Sequence, residues 1–190
     1  MDFKKYIARY DSEEINYVAR IFAPFSEEIV RIWCKRKNSK YKDLGRPSLY
    51  KNIKYTHKTF DFTFEKDGEY FIGEQKNWIA VDNGYYLTEI YLNDADLNIL
   101  DEVLRNKEYE VYCGNISQKL VISGVVLIWP QPTAESIMEF RKKHPRYKVL
   151  SFQDIINDLI NENNQEYLQL LERYKKYCDN LFKELLPKNS

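Results

Sequence analysis

An acid at position 61, a second at 74 and a lysine at 76 form a pattern whose residue types and spacing could do chemistry. Between the acids stands Asp67-Gly68, flanked by two runs rich in aromatic and β-branched residues, 59–65 and 70–79. That dipeptide favours a two-residue hairpin turn, because both of its positions tolerate positive φ. Across such a turn, residues whose numbers sum to 135 face each other, so Asp61 is set opposite Glu74. Side chains alternate along a strand, which puts Lys76 on the face of Glu74, one pleat further on. Opposed carboxylates repel, and a divalent cation between them removes that cost. Hard oxygen donors suit Mg²⁺ or Mn²⁺, and the backbone carbonyl of Gln75 offers a third protein oxygen. A centre of this kind suits phosphodiester hydrolysis, where the metal activates water and neutralises charge growing on the phosphate. Lys76, held charged by two acids, is a poor base and serves as an electrostatic stabiliser. The plainer alternative is a solvated strand face with a cross-strand salt bridge. Phe60, Phe62, Phe64, Phe71 and Ile72 around the three residues favour a buried setting, in which acids need a partner.

The elements that must hold this hairpin can be read from periodicity and caps. Ser12 is a plausible N-cap, with Glu13 and Glu14 in the first turn and Ile15, Val18, Ala19 and Phe22 on one face; Pro24 ends or interrupts that helix. A second start follows at Ser26, with Glu27 and Glu28 ahead of Ile29, Val30, Ile32 and Trp33. Residues 38–47 read as a loop broken by Gly45 and Pro47, and 50–55 as a strand. Leu97, Leu100, Val103 and Leu104 give a helix over 96–106. Strands are expected over 109–113 and 120–129, the latter central because Val125, Val126, Leu127 and Ile128 form an unbroken apolar run. Thr133 caps a helix to 143, a strand covers 147–150, Ser151 and Asp154 open a helix to 160, and a last helix spans 165–186. Without internal repeats or low-complexity segments, this order implies an α/β sandwich with a mixed sheet.

Composition narrows the classes. A chain of 190 residues with 44% hydrophobic content fills one core, so a single domain over 1–190 is expected, with a core over 12–160 and a C-terminal helix over 165–186. No run reaches the roughly 20 apolar residues of a membrane span, and the start lacks a signal peptide's apolar block, so a soluble intracellular protein is expected. Cys34, Cys113 and Cys178 are odd in number, far apart and free of any Cys-x-x-Cys pair, so neither a disulfide framework nor a zinc or iron–sulfur site is suggested and they read as buried small apolar residues. The 29 basic and 29 acidic side chains cancel, so bulk charge cannot coat nucleic acid. Locally, nine Lys or Arg stand against Asp43 between Lys35 and Lys58, and Arg36, Lys37, Lys40 and Lys42 are candidates for binding nucleic-acid phosphates, with a solvated loop as the alternative. Arg141, Lys142, Lys143, Arg146 and Lys148 form a second basic run. His57 and His144 are isolated and read as structural or surface residues, and the 16 tyrosines mostly as core. In the last helix Tyr167, Leu168, Leu171, Tyr174, Cys178, Leu181, Leu185 and Leu186 make a packing stripe, or a dimer interface.

Asp61 within Thr59-Phe60-Asp61-Phe62-Thr63, followed by Glu74-Gln75-Lys76, resembles the signature of the PD-(D/E)XK, or restriction-endonuclease-like, nucleases: an acid on one strand and Glu-x-Lys on the next. The order of elements over about 12–160 is similar to that family's layout as well. Position 60 holds Phe where the family name has Pro, a departure that leaves the ligands untouched. The resemblance implies a restriction-endonuclease-like core, a central mixed sheet flanked by helices, here with an extra long C-terminal helix. It implies a DNA-cutting enzyme with Mg²⁺ or Mn²⁺ at Asp61, Glu74 and Gln75, Lys76 as a catalytic partner, and a carboxylate from the first helix, Glu14 or Glu28. Cutting two strands with one site per chain implies a homodimer. Two rival expectations stand beside it: a catalytically inactive nucleic-acid-binding or assembly module on the same fold, and an interaction protein that uses the last helix. Specificity for a DNA structure or sequence resides in loops that such a motif does not fix.

Overall fold

The computed structural model describes residues 12–52, 54–55, 58–76, 94–105, 108–114 and 116–185. Its first element, α1 (Ser12–Cys34), runs straight through Pro24. Two separate helices were the expectation, since a proline removes an N–H and crowds the preceding turn at a cost of about 3 kcal/mol. Packing offsets that cost. Phe22 meets Phe152 edge-on at 6.0 Å, Phe25 lies 4.7 Å from Tyr174, and Ser26 Oγ donates to the Ala23 carbonyl at 2.8 Å.

After α1 come β1 (Lys42–Asp43), β2 (Pro47–Lys51), β3 (Lys54–Tyr55), β4 (Phe62–Lys66) and β5 (Glu69–Gln75). Then follow α2 (Asp94–Leu104), β6 (Tyr109–Cys113), β7 (Ile116–Leu120), β8 (Ile122–Trp129), α3 (Ala134–Lys143), β9 (Tyr147–Ser151), α4 (Phe152–Asn161) and α5 (Gln165–Leu185). The main sheet has five strands in the order β1-β4-β5-β8-β9, with β5, β8 and β9 parallel and β4 antiparallel to β5. The chain is thus α/β, with a mixed sheet flanked by helices. On one face of that sheet, α1, α4 and α5 enclose Ile29, Val30, Phe62, Phe64, Val126 and Ile155. On the other, α2, α3 and a second, four-stranded sheet ordered β3-β2-β6-β7 enclose Leu49, Ile72, Leu100, Val111, Val125 and Trp129. The apolar run of β8 lies between two parallel neighbours and is fully buried, as expected of a central strand.

The second sheet corrects two sequence expectations. The strand over 50–55 is broken at Asn52, whose φ of 51° reverses the chain into a small hairpin between β2 and β3. The strand over 120–129 is β8, beginning at Ile122, and Leu120 instead ends a further strand, β7, which pairs back with β6. In α5, Tyr167, Leu170 and Tyr174 pack inward on a helical repeat, whereas Leu168 and Leu171 of the expected stripe are exposed. Cys34 and Cys113 are buried, but Cys178 is exposed because it follows that outer face. Glu14's side chain, His57, the end of the strand expected over 70–79 and Leu186 lie outside the described residues.

The β4–β5 hairpin closes as its turn chemistry requires. Asp67 and Gly68 have φ of 54° and 80°, and Phe62 pairs with Gly73, Thr63 with Ile72 and Phe64 with Phe71. Gly73 leaves the space that the stacked rings of Phe62 and Phe64 occupy, 5.1 Å apart between centroids. A Cβ at that position would sit 2.8 Å from the Phe62 Cβ and would overlap the Phe64 ring.

Candidate functional site

The site is built at the end of β5 where the parallel strands β5 and β8 terminate, the end at which open α/β sheets commonly receive ligands. Asp61 sits in a bend just before β4. Its N–H donates to the Gly73 carbonyl at 3.2 Å, one position off the register in which Phe62 pairs with Gly73, so the chain bulges where it enters β4. Its side-chain Oδ2 accepts the Gln75 N–H at 2.9 Å. On its other edge the strand is held by the Lys76 N–H, which donates to the Ile128 carbonyl of β8 at 3.0 Å. In an extended strand a residue's N–H and C=O leave the same edge, so the Gln75 carbonyl is turned to the side of Asp61.

Glu74 is 6% exposed. Its Oε1 accepts from Lys76 Nζ at 2.7 Å, and its Oε2 is buried with no hydrogen-bond partner among the described residues. Burial, and then the negative charge of Asp61, pushes Glu74 up to about 7, against the pull of Lys76. Asp61 is raised as well, first by burial and then by Glu27, while the Gln75 N–H, Arg46 and Lys76 lower it. The structure therefore brings Asp61, Glu74 and Lys76 into one partly desolvated cluster, at the edge of which lies the Gln75 backbone.

Four further charged residues surround it, none of which the motif announces. Asp96, buried in the first turn of α2, binds Lys58 Nζ at 2.7 Å and lies 3.8 Å from Lys76 Nζ. Glu27 of α1 holds Arg46 at 2.7 Å, and the Arg46 guanidinium feels both Asp61 and Glu74. Among the described side chains of α1, the carboxylate that acts on the cluster is Glu27, one residue from a position singled out in the sequence. Adjacent helical residues point about 100° apart, and Glu28 is turned to α5, where it accepts from Tyr174 Oη at 3.3 Å. Acids at a helix start followed by an apolar repeat were visible at both Glu27 and Asp96, but only tertiary placement says which of them reach the hairpin.

The basic candidates divide. Arg36 is only 9% exposed in its side chain and binds Asp158 of α4 and Glu162 at its C-cap, each at 2.9 Å, over the face of Trp33. That placement makes Arg36 a clamp between α1 and α4, its guanidinium engaged by two carboxylates. Lys42 reaches Glu65 at 3.4 Å, and Lys37 and Lys40 are exposed. None of the four adjoins the carboxylates.

The donor set fits a hard divalent cation. A buried carboxylate oxygen without a donor, a second carboxylate across the strands and a backbone carbonyl turned the same way are oxygen ligands of the kind Mg²⁺ takes. Among the described residues no three His, Cys, Asp or Glu side chains form a metal-holding group, so the backbone oxygen and water would complete the coordination. Compared with profiles of known families, with characterised proteins and with solved structures, the chain gives no significant match to any.

Proposed function

We propose that this chain is a divalent-metal-dependent nuclease of the PD-(D/E)XK type, hydrolysing DNA phosphodiester bonds on a restriction-endonuclease-like core. The observation that carries the reading is the buried, partnerless Glu74 Oε2 beside Asp61, with Lys76 Nζ 2.7 Å from the other Glu74 oxygen. Ionising both carboxylates is costly, as the raised Glu74 pKa expresses, and that cost is what a bound cation offsets. When bound, Mg²⁺ or Mn²⁺ supplies Lewis acidity toward a phosphate oxygen and lowers the pKa of a nearby water. Asp61 and Glu74 hold that charge in place, the first fixed by the Gln75 N–H and the second by Lys76. Lys76, 2.7 Å from Glu74 and 3.8 Å from Asp96, offers its ammonium group to the substrate where phosphate negativity grows. Asp96, itself paired with Lys58, positions Lys76.

The test is incubation with supercoiled, linear, single-stranded and four-way-junction DNA, with Mg²⁺, with Mn²⁺ and with chelator. Cleavage that needs the ion and is lost in Asp61→Ala and Glu74→Ala supports the reading. Cleavage by Asp61→Ala at the parent's single-turnover rate overturns the site. A homodimer is part of the proposal, because one site per chain cuts both strands only when two chains meet; light scattering that gives a monomer both free and on DNA counts against it.

A further inference from the structure

Away from the carboxylates, at the hairpin end of the main sheet, four cations from four separate elements line one cavity of about 620 Å³. Lys40 comes from the turn after α1, Lys66 from the end of β4, Arg141 from the last turn of α3 and Lys148 from β9. Tyr41, Pro145, Tyr147, Val149 and Leu150 complete the wall, which contains no acid. Two acids stand outside that wall: Asp67, 3.8 Å from Lys66 and 84% exposed at the hairpin tip, and Glu69, whose charge acts on Lys148.

Two of the ammonium groups are held and not left to swing into solvent. Lys148 Nζ lies over the Phe71 ring, 3.9 Å from its centroid, and Lys66 Nζ lies 5.7 Å from that of Tyr41. Burial and then the charge of Lys66 lower the pKa of Lys148, and the opposing pull of Glu69 and Asp67 does not cancel them. Arg141 alone could serve the α3 dipole. That role does not account for a half-buried Lys148 beside Lys66, nor for convergence from four elements.

We propose that this cavity binds a compound carrying two or more adjacent phosphate groups. Several convergent cations match several oxyanions, whereas a single carboxylate would leave most of the positive charge uncompensated. The volume lies within the range of small-molecule sites. Lys66 ends β4 and Asp61 precedes its first residue, Phe62, which lies roughly 14 Å from Lys66 at ~3.4 Å per residue, so this is a site separate from the carboxylate pair and independent of the nuclease reading. Adjacent phosphates come either from a free polyphosphate chain, as in a nucleoside di- or triphosphate, or from successive positions of a nucleic-acid backbone.

The test is isothermal titration of the full chain with inorganic tripolyphosphate and, separately, with a short DNA duplex in the absence of divalent ions. Saturable tripolyphosphate binding is expected, weakened at least about tenfold by Arg141→Gln combined with Lys148→Gln. Lys175→Gln with Lys176→Gln, which removes the same charge from the exposed face of α5, should leave it unchanged. Lys148→Arg should retain binding, and Arg141→Gln alone, at an exposed position, should weaken it without disturbing the fold. If the cavity variant weakens duplex binding in parallel and tripolyphosphate competes with the duplex, the source is the nucleic-acid backbone. If only tripolyphosphate binding falls, it is a free polyphosphate. Absence of saturable tripolyphosphate binding, or equal weakening by the α5 pair, overturns the proposal.

Discussion

The backbone N–H of Gln75 donates to Asp61 Oδ2 at 2.9 Å, so the acid before one strand of the hairpin is fixed by the main chain of the other. Asparagine at 61 can still accept that bond but carries no charge. Because Asp61 is the largest influence on Glu74 after burial, Asp61→Asn should bring the Glu74 titration midpoint below about 7. Carboxyl-carbon NMR across a pH series reads this directly, and an unmoved midpoint would show that the two acids do not interact.

Glu74 also ties stability to pH. Its pKa is raised from 4.5 in the ordinary state to about 7 in the fold, so between those values the folded chain holds more protons than the unfolded one. The stabilisation is complete below about 4.5 and is lost as pH rises through about 7. Urea denaturation of the metal-free protein should show stability declining by more than ~1 kcal/mol across that window, and Glu74→Gln should flatten the decline. A parent whose stability rises over the same window would contradict the raised pKa.

Under the nuclease reading, the three residues separate by their kinetics. Asp61→Ala and Glu74→Ala should abolish metal-dependent cleavage, since one remaining carboxylate cannot position the ion. Lys76→Ala should lower the single-turnover rate by roughly 10²- to 10³-fold with little change in the metal concentration needed for half-activity. Asp96→Asn should act through Lys76, lowering the rate less than Lys76→Ala does and adding little to it in the double variant.

Arg36 gives a prediction of another kind. Its guanidinium bridges α1 to α4 through Asp158 and Glu162, whose side chains are 48% and 43% exposed, so solvent screens part of the gain. Arg36→Ala should cost about 1–2 kcal/mol in denaturant unfolding, whereas Lys37→Ala should leave stability unchanged. A larger loss of DNA affinity than of stability in Arg36→Ala would restore it to the nucleic-acid surface.

What was legible in the sequence was local. Asp67-Gly68 fixes its own turn geometry, and Thr133 and Ser151 cap the helices that follow them, their side chains accepting from Ser136 and Asp154 N–H. The register from Phe62 and Gly73 to the turn followed from the turn chemistry, whereas Asp61 stands in the bend ahead of that ladder and reaches across to the Gln75 N–H by its side chain. What escaped was decided by distant packing. Pro24 is overruled by rings on α4 and α5, and Asn52 bends a plausible strand into a second sheet. Glu27, Arg46, Lys58 and Asp96 meet at the site only because α1, the loop before β2 and α2 converge there. Arg36 looked like surface charge because its partners lie more than a hundred residues away.

Gly73 shows how the chain can align two groups that repel each other. Nothing in Asp61 and Glu74 favours their opposition; left to their charges, the two strands would choose another alignment. If the strands slid by two residues, Phe62 would face Phe71 or Gln75, and a side chain would have to enter the slot filled by the stacked rings of Phe62 and Phe64. Only the residue without a side chain admits the stack, and Gly73→Ala should cost about 1–3 kcal/mol for that reason. The gap therefore works as a keyway that accepts one alignment of the ribbon and rejects its neighbours, so the chemically demanding pair is assembled by exclusion elsewhere along the strands and not by any attraction of its own.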